Sequence, residues 1–313
     1  MSKIRTERDG RVLTATISNP PYNFLTGEIM KELHELLLEI NGDRSIGTVV
    51  LASDLDGIFI SHFDVRELAV APDVPMDQGV PHAVASGTLR LQGVIEQIPG
   101  ARNALSKTAA AAVSDLLHFH ETCALMQRID KVLIASINGR ALGGGSELAL
   151  ACDIRIMAQG PFQIGQPEVL IGIIPGGGGT QRLPRAIGHG RALELLLEGR
   201  PLSPMEALDI GYVNHVVAPG DLVEFTNITA HRLSRRSNDA VAAIKRTVNG
   251  DASLAKGLHA ERSAFLSTVS SKSARTAMRA YIDHIDALEA AGEDLSIESL
   301  GQWLDGTAYD FNA

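Results

Sequence analysis

The segment Asn138-Gly139-Arg140-Ala141-Leu142-Gly143-Gly144-Gly145-Ser146-Glu147-Leu148-Ala149-Leu150 leads through three glycines directly into a helix-like run. Amides in the first turn of a helix have no partner within it, and the helix dipole favours negative charge there. Glycine keeps side chains from obstructing such amides. The segment therefore predicts a seat for a phosphate or an oxyanion. No Gly-Lys-Ser/Thr follows, which disfavours a phosphate loop. A glycine run by itself is more often structural than functional, so the weight falls on its surroundings.

A second glutamate, Glu168, lies 21 residues beyond Glu147 and closes Gly165-Gln166-Pro167-Glu168. Gly172 and the run Pro175-Gly176-Gly177-Gly178-Gly179-Thr180-Gln181-Arg182-Leu183 follow it. Paired carboxylates are the usual tools for moving protons, and neighbouring ones raise one pKa so that one stays protonated while the other ionises. The pair predicts a site that stabilises an oxyanion and shuttles a proton beside it. The bland alternative has Glu147 facing solvent and Glu168 capping a helix.

Working outward, residues 3–8 and 11–18 alternate around Asp9-Gly10, a hairpin pattern, and Asn19-Pro20-Pro21 ends the second strand. Thr26 is placed to cap a helix carrying Ile29, Met30, Leu33, Leu36, Leu37 and Ile40 at helical spacing. Residues 48–52 read as a buried strand and Leu55-Asp56-Gly57 as a turn, giving the order ββαβ. Further on, residues 132–137 predict a strand, 146–151 a helix and 153–157 a strand. Ser203-Pro204-Met205-Glu206 is a capping box opening a helix that ends before Gly211, and residues 212–217 predict another strand. Repeated strand–strand–helix units mark an α/β fold.

Two stretches differ. Residues 69–112 hold Pro72, Pro75, Pro81 and Pro99 and read as an insertion with a helix near 88–98. From about Leu222 the strand pattern gives way to Ala- and Leu-rich helical segments. The expected division is a core of residues 1–221 and a C-terminal helical domain of residues 222–313.

Hydrophobic residues make up 45% of the 313 and charged ones 21%, as expected of a globular chain able to bury a substantial core. A formal net charge of −9 with no basic stripe argues against nucleic acid as the main partner. Cys123 and Cys152 are too few for a disulfide framework or a cysteine-based metal site. With no signal-like start and no apolar run of about 18 residues, a cytoplasmic protein without a membrane span is expected.

Asn138-Gly139-x-Ala141-Leu142-Gly143-Gly144-Gly145-x-Glu147-Leu148-Ala149, followed by Cys152-Asp153, resembles the signature of the crotonase (enoyl-CoA hydratase/isomerase) superfamily. Gln166-Pro167-Glu168, Gly172-x-x-Pro175-Gly176-x-Gly178-Gly179-Thr180-Gln181-Arg182-Leu183, Gly199-Arg200 and Asn19-Pro20-Pro21-x-Asn23 continue the likeness. It spans roughly residues 3–65 and 113–280. The resemblance implies an α/β crotonase-type spiral of ββα units with a C-terminal α-helical region, assembled as a homotrimer or a hexamer built from two trimers. It implies an acyl-CoA thioester substrate, with coenzyme A entering only as part of it and no metal or further cofactor.

In that family two backbone amides hold the thioester oxygen. By alignment these are Ser61 and Gly144, in a substrate-binding segment Ser61-His62-Phe63-Asp64 whose His62 and Phe63 are bulkier than the family's usual small residues. One such donor is worth about 2.7–4 kcal/mol in a transition state. The presence of both glutamates implies an enoyl-CoA hydratase, with Glu147 activating water and Glu168 exchanging the α-carbon proton. Enoyl-CoA isomerisation, or a catalytically weak acyl-CoA-binding subunit, are the alternatives. The 147–168 spacing is one residue longer than in typical hydratases, with the extra residue near Gln159-Gly160-Pro161. Arg66, Lys131 and Arg182 are candidate partners for the coenzyme A phosphates, His62 is a candidate ligand contact or proton donor, and Trp303 a candidate anchor for the C-terminal tail. His118 and His120, two apart on a predicted helix, are too close in spacing to share a face for metal. The insertion is expected to form a lid or wall of the acyl pocket.

Overall fold

A computed structural model describes residues 2–69, 79–98, 100–105, 108 and 110–309. The chain runs β1 (Ile4–Asp9), β2 (Val12–Ile17), α1 (Gly27–Ile40), β3 (Thr48–Ser53), β4 (Gly57–Ile60), α2 (Val65–Ala69), α3 (His82–Ile95), α4 (Ala101–Leu105) and α5 (Ala111–Met126). It continues β5 (Val132–Ile137), β6 (Gly139–Leu142), α6 (Gly144–Ala151), β7 (Ile154–Ala158), β8 (Ile164–Gly165), α7 (Gly179–Ile187), α8 (His189–Glu198), α9 (Pro204–Asp209) and β9 (His215–Val217). Five helices finish it: α10 (Leu222–Ser234), α11 (Asn238–Asn249), α12 (Ala252–Val269), α13 (Lys272–Ala291) and α14 (Gly301–Leu304).

The strands sort into a six-stranded sheet of order β1-β2-β3-β5-β7-β9 and a three-stranded sheet β4-β6-β8. Among the described residues β1 and β2 pair antiparallel, as the Asp9-Gly10 hairpin predicts, and the other strand–strand pairings are parallel, with one isolated antiparallel bridge from Ile164 of β8 to Leu202. Each turn of the chain gives one strand to the large sheet and the next to the small one: β3 then β4, β5 then β6, β7 then β8. That alternation is the spiral of ββα units. Parallel interior strands are covered on both faces, so β5, expected from sequence as a strand, is buried along nearly its whole length.

Local chemistry sets the ends of the elements. The Thr26 hydroxyl accepts from the Ile29 amide at 3.2 Å, and α1 turns Ile29, Met30, Leu33, Leu37 and Ile40 into the main core. Ser203 and Glu206 complete the capping box of α9. Helix α6 begins at Gly144, two residues earlier than the sequence pattern suggests, so Gly144 and Gly145 belong to its first turn. The strand expected over 212–217 shortens to β9, because the amides of Tyr212 and Val213 turn back to the Ala207 carbonyl and Tyr212 is buried beneath them. The extra residue near Gly160 falls in the turn between β7 and β8.

Past residue 221 the chain is helical, and these helices bury their side chains against the spiral. Helix α10 packs on the large sheet with Val12, Val50, Ile134 and Ile156. Helices α12 to α14 share a second core with Tyr22, Phe24, Val65, Leu116 and Ile171. In the insertion, the helix expected near 88–98 spans α3 instead and buries Ala85 and Leu89 against α5 and α12.

Asn23 ties this architecture to the site. It is fully buried at φ +52°, its side chain accepts from the Asn19 amide and donates to the Phe59 carbonyl, and its own carbonyl accepts from Ser61. Losing the carboxamide strands buried groups that cost about 1–3 kcal/mol each when unpaired. Asn23→Ala should therefore lower unfolding free energy by about 2–4 kcal/mol, read from the urea midpoint.

Candidate active site

The small sheet assembles the site. Its three parallel strands end side by side, and the chain leaves β4 into Phe63, β6 into Gly144 and β8 into Glu168. Hydrogen bonds from Leu142 to the Ser61 carbonyl, 3.0 Å, and from Gly143 to the Gly165 carbonyl, 2.9 Å, lock the three exits together. They open on one largely apolar cavity lined by Phe63, Gly144, Glu147 and Glu168, with Leu116, Phe119, Phe265 and Trp303 among its apolar walls.

Ser61 does not present its amide to this cavity. That amide donates to the Asn23 carbonyl at 3.3 Å, the hydroxyl donates to the Tyr22 carbonyl at 2.5 Å, and the residue is fully buried off the cavity wall. In 61–64 the amides of His62 and Phe63 are the two that make no hydrogen bond among the described residues, and it is Phe63 that packs against Gly144. Gly144, the first residue of α6, likewise leaves its amide unpartnered. A β-carbon at Gly144 would stand 3.2 Å from the Phe63 nitrogen, so the two amides are neighbours. The expected pair Ser61 and Gly144 is thus corrected to Phe63 and Gly144.

Glu147 is 3% exposed, and its Oε1 accepts from the amides of Gly177 and Gly179 at 2.7 and 2.8 Å. Glycine is required at 177, where a β-carbon would overlap the Phe119 ring and come within 2.5 Å of Glu147 Oε2. Burial pushes the Glu147 carboxyl up to about 7, against the pull of the two amides and the Arg182 guanidinium. Glu168 opens a single 3-10 turn, Glu168–Ile171, and its Oε2 is sealed from solvent with no hydrogen-bond partner. Burial, and then the negative charge of Glu147, hold its carboxyl well above the usual range. The pair splits into an amide-braced carboxylate and a carboxylic acid, the division of labour that proton transfer across a double bond requires.

The remaining candidates sort clearly. His62 lines the cavity, but its Nδ1 faces the Phe63 carbonyl at 2.7 Å and so carries the hydrogen, leaving Nε2 to accept from the Tyr281 hydroxyl at 3.0 Å. Burial lowers it to about 4, so a neutral ring braces the Phe63 peptide and is no proton donor at neutral pH. Asp64 is off the cavity wall beside Arg66, and Arg66 is held by Asp286 and Glu289 at 2.7 and 2.9 Å. Lys131 is fully buried on Asp130, and Arg182, 4% exposed, donates to the Gly177 carbonyl, so neither is presented to a phosphate. His118 stacks on His34, while His120 Nε2 donates to the Gly176 carbonyl. No described residue of the insertion lines the cavity, and residues 70–78 of the expected lid or wall lie outside the described residues.

Three contributors escaped the sequence reading. Trp303, expected only as an anchor, also walls the cavity, with Tyr281 edge-on to it at 5.5 Å between ring centroids. Tyr281 reaches His62 from α13, across 219 residues of chain. Glu261, on α12, is a third buried carboxylate beside Glu147. A signal for it did exist: Glu261 sits at helical spacing among Leu254, Phe265 and Val269, a charge inside an apolar stripe.

Comparison with known proteins agrees with this architecture. The family model described as enoyl-CoA hydratase/isomerase matches residues 101–288. The chain is 33% identical over 279 residues to the probable enoyl-CoA hydratase of Rhizobium meliloti (strain 1021), covering 88% of this chain and 93% of that one. It is 30% identical over 286 residues to the short-chain-enoyl-CoA hydratase of Clostridium acetobutylicum, covering 90% and 95%. The protein belongs to the enoyl-CoA hydratase/isomerase family. Among solved structures, the enoyl-CoA hydratase of Geobacillus kaustophilus superposes with a TM-score of 0.65 at 28% identity, over 90% of this chain and 94% of that one. Human mitochondrial delta3-delta2-enoyl-CoA isomerase shares the fold, with a TM-score of 0.72 at 24% identity over 91% and 99%.

A carboxyl whose folded pKa is raised binds a proton in the folded state that the unfolded chain has released, so its contribution to stability falls as pH rises above the unfolded value of about 4.3. Glu168→Gln removes that penalty. Its melting temperature should exceed that of the unaltered protein by ~2 °C or more at pH 8, with the gap closing towards pH 4.5, as read by thermal denaturation at both values.

Proposed function

We propose that the protein adds water across the double bond of a 2-enoyl-CoA to give a 3-hydroxyacyl-CoA. The observation that carries this reading is the pair Glu147 and Glu168 on one cavity wall beside the unpartnered amides of Phe63 and Gly144. The relatives named as enoyl-CoA hydratases support it. The two amides receive the thioester oxygen as it gains charge. Ionised Glu147 takes a proton from water, whose oxygen bonds to the β-carbon, and protonated Glu168 gives its proton to the α-carbon. The C=C π bond, one O–H bond of water and the Glu168 O–H bond break, one C–O, one C–H and the Glu147 O–H bond form, and the proton gained by Glu147 returns to Glu168 to reset the pair. Apolar walls exclude other water and strengthen each of these interactions.

Coenzyme A enters as part of the substrate, and the reaction as written uses no metal or redox cofactor. Isomerisation of an enoyl-CoA needs only one carboxylate to carry a proton between carbons, so the second carboxylate favours hydration. We place the reaction in the cytoplasm, where the buried thiols Cys123 and Cys152 stay reduced. A homotrimer, or a hexamer of two trimers, fits the exposed apolar Val223, Ile228, Ile244 and Val248 on α10 and α11.

Loss of the conjugated enoyl absorbance of crotonyl-CoA tests the reaction. Glu147→Gln and Glu168→Gln should each lower kcat by ~100-fold or more with unchanged circular dichroism. Wild-type rates in either variant, or coenzyme A binding without turnover at any chain length, would sink the hydratase reading. Because one carboxyl must be ionised and the other protonated, kcat should follow a bell in pH, with its acid limb set by the pair near 7.

A further inference from the structure

Helix α12 belongs to the C-terminal helical region, yet its Glu261 reaches under the site. The residue is 3% exposed, and its Oε2 accepts from both the amide of Thr180, at 2.8 Å, and the Thr180 hydroxyl. Thr180 directly follows Gly179, whose amide, with that of Gly177, holds Glu147. The loop 176–179 is therefore gripped from two sides by two buried carboxylates, Glu147 on α6 and Glu261 on α12. Its four residues are all glycine and offer no side chains of their own as anchors. Its carbonyls are held as well: Arg182 donates to Gly177 and His120 to Gly176.

We propose that Glu261 is a positioning residue for Glu147, clamping the glycine loop whose amides orient that carboxylate and coupling its own charge to the charge on Glu147. The inference rests on Glu147 being the base of the proposed hydration. Glu261 does not line the cavity and touches no reacting atom, so its action passes through Thr180 and the loop. Helix α7 has glycine at its N-cap and no side-chain cap of its own, so the Glu261 carboxylate supplies the cap from another helix.

Glu261 is faced by Glu147 from α6, Arg182 from α7 and His120 from α5, whose Nε2 is 3.9 Å from Glu261 Oε1. Arg262, with Glu121 beyond it, the Glu168 carboxyl and the Cys123 thiol also lie within reach of its charge. His120 is held neutral, chiefly by burial and then by the Arg262 and Arg182 charges. Burial, and then the charge on Glu147, push the Glu261 carboxyl up to about 8. Two carboxylates beside one buried guanidinium cannot ionise independently, so Glu147 ionises first and its charge raises the pH at which Glu261 loses its proton.

In Glu147→Gln the neighbouring negative charge is gone, so the Glu261 side-chain carboxyl carbon, followed by carbon-13 NMR and assigned against Glu261→Gln, should titrate about half a unit or more lower than in the unaltered protein. Glu261→Gln removes the charge of Glu261 and retains an oxygen that can accept from Thr180. Glu261→Ala removes the clamp as well; kcat should fall ~10-fold or more, with KM changed less than about threefold. If Glu261→Ala does not fold, Thr180→Val, which deletes one of the two clamp bonds, carries the kcat measurement. An unmoved Glu261 titration in Glu147→Gln overturns the proposal, as does a folded clamp variant with wild-type kcat. The NMR readout needs no turnover. A protein that fails to hydrate enoyl-CoA yet shows the shift therefore refutes the proposed reaction and leaves the coupling, while an active hydratase without the shift refutes the coupling alone.

Discussion

Everything in the site depends on keeping a carboxylate out of water while two backbone amides hold one of its oxygens. Glu147 lies in a cavity with apolar walls, where an isolated charge is costly, and the Gly177 and Gly179 amides make its ionised form tolerable. Those amides can approach because the loop that carries them lacks side chains. The balance leaves Glu147 near neutrality and, through its charge, drives Glu168 towards the acid form. The chemistry is thus written into a difference in hydrogen bonding between two residues of the same type. Glu168, whose Oε2 is buried with no partner among the described residues, carries a desolvation cost that a stability-optimised protein would remove.

The spiral explains how such residues come together from distant sequence. Phe63, Gly144 and Glu168 each lie two or three residues past the end of a strand in the same small sheet, on three successive turns of the chain. Stacking the turns in parallel register brings equivalent positions into one place, so no long excursion is needed to build the cavity floor. The walls come from elsewhere. Helices α12 to α14 close the cavity over these strand ends and share their core with residues of the first helical turns and the Tyr22–Phe24 loop.

The local parts of this arrangement were legible in the sequence. The hairpin, the Thr26 cap, the capping box at Ser203 and the buried strand β3 are set by neighbouring residues, and each forms as its pattern indicates. The glycine-flanked glutamates could be picked out because their chemistry and their backbone requirement coincide. Which amides in 61–64 remain free could not be read in the same way, since that depends on Asn23 and Leu25 pairing with that loop from 36 or more residues upstream. Ser61, the aligned choice, is consumed by exactly that pairing. Similarly, the partners of His62 and Thr180 stand on α13 and α12, and only packing brings them there.

The order of the chain therefore has a consequence in time. The two glutamates and both amides are in hand once residue 168 has been made, but the cavity around them is completed by Tyr281, Leu300 and Trp303. Domains fold from the N-terminus as they emerge during synthesis, so the spiral can form first with its carboxylates still open to water. In that interval Glu147 and Glu168 are ordinary solvated acids without the raised affinity for protons that burial confers. The nascent spiral is chemically idle until its own last helices arrive.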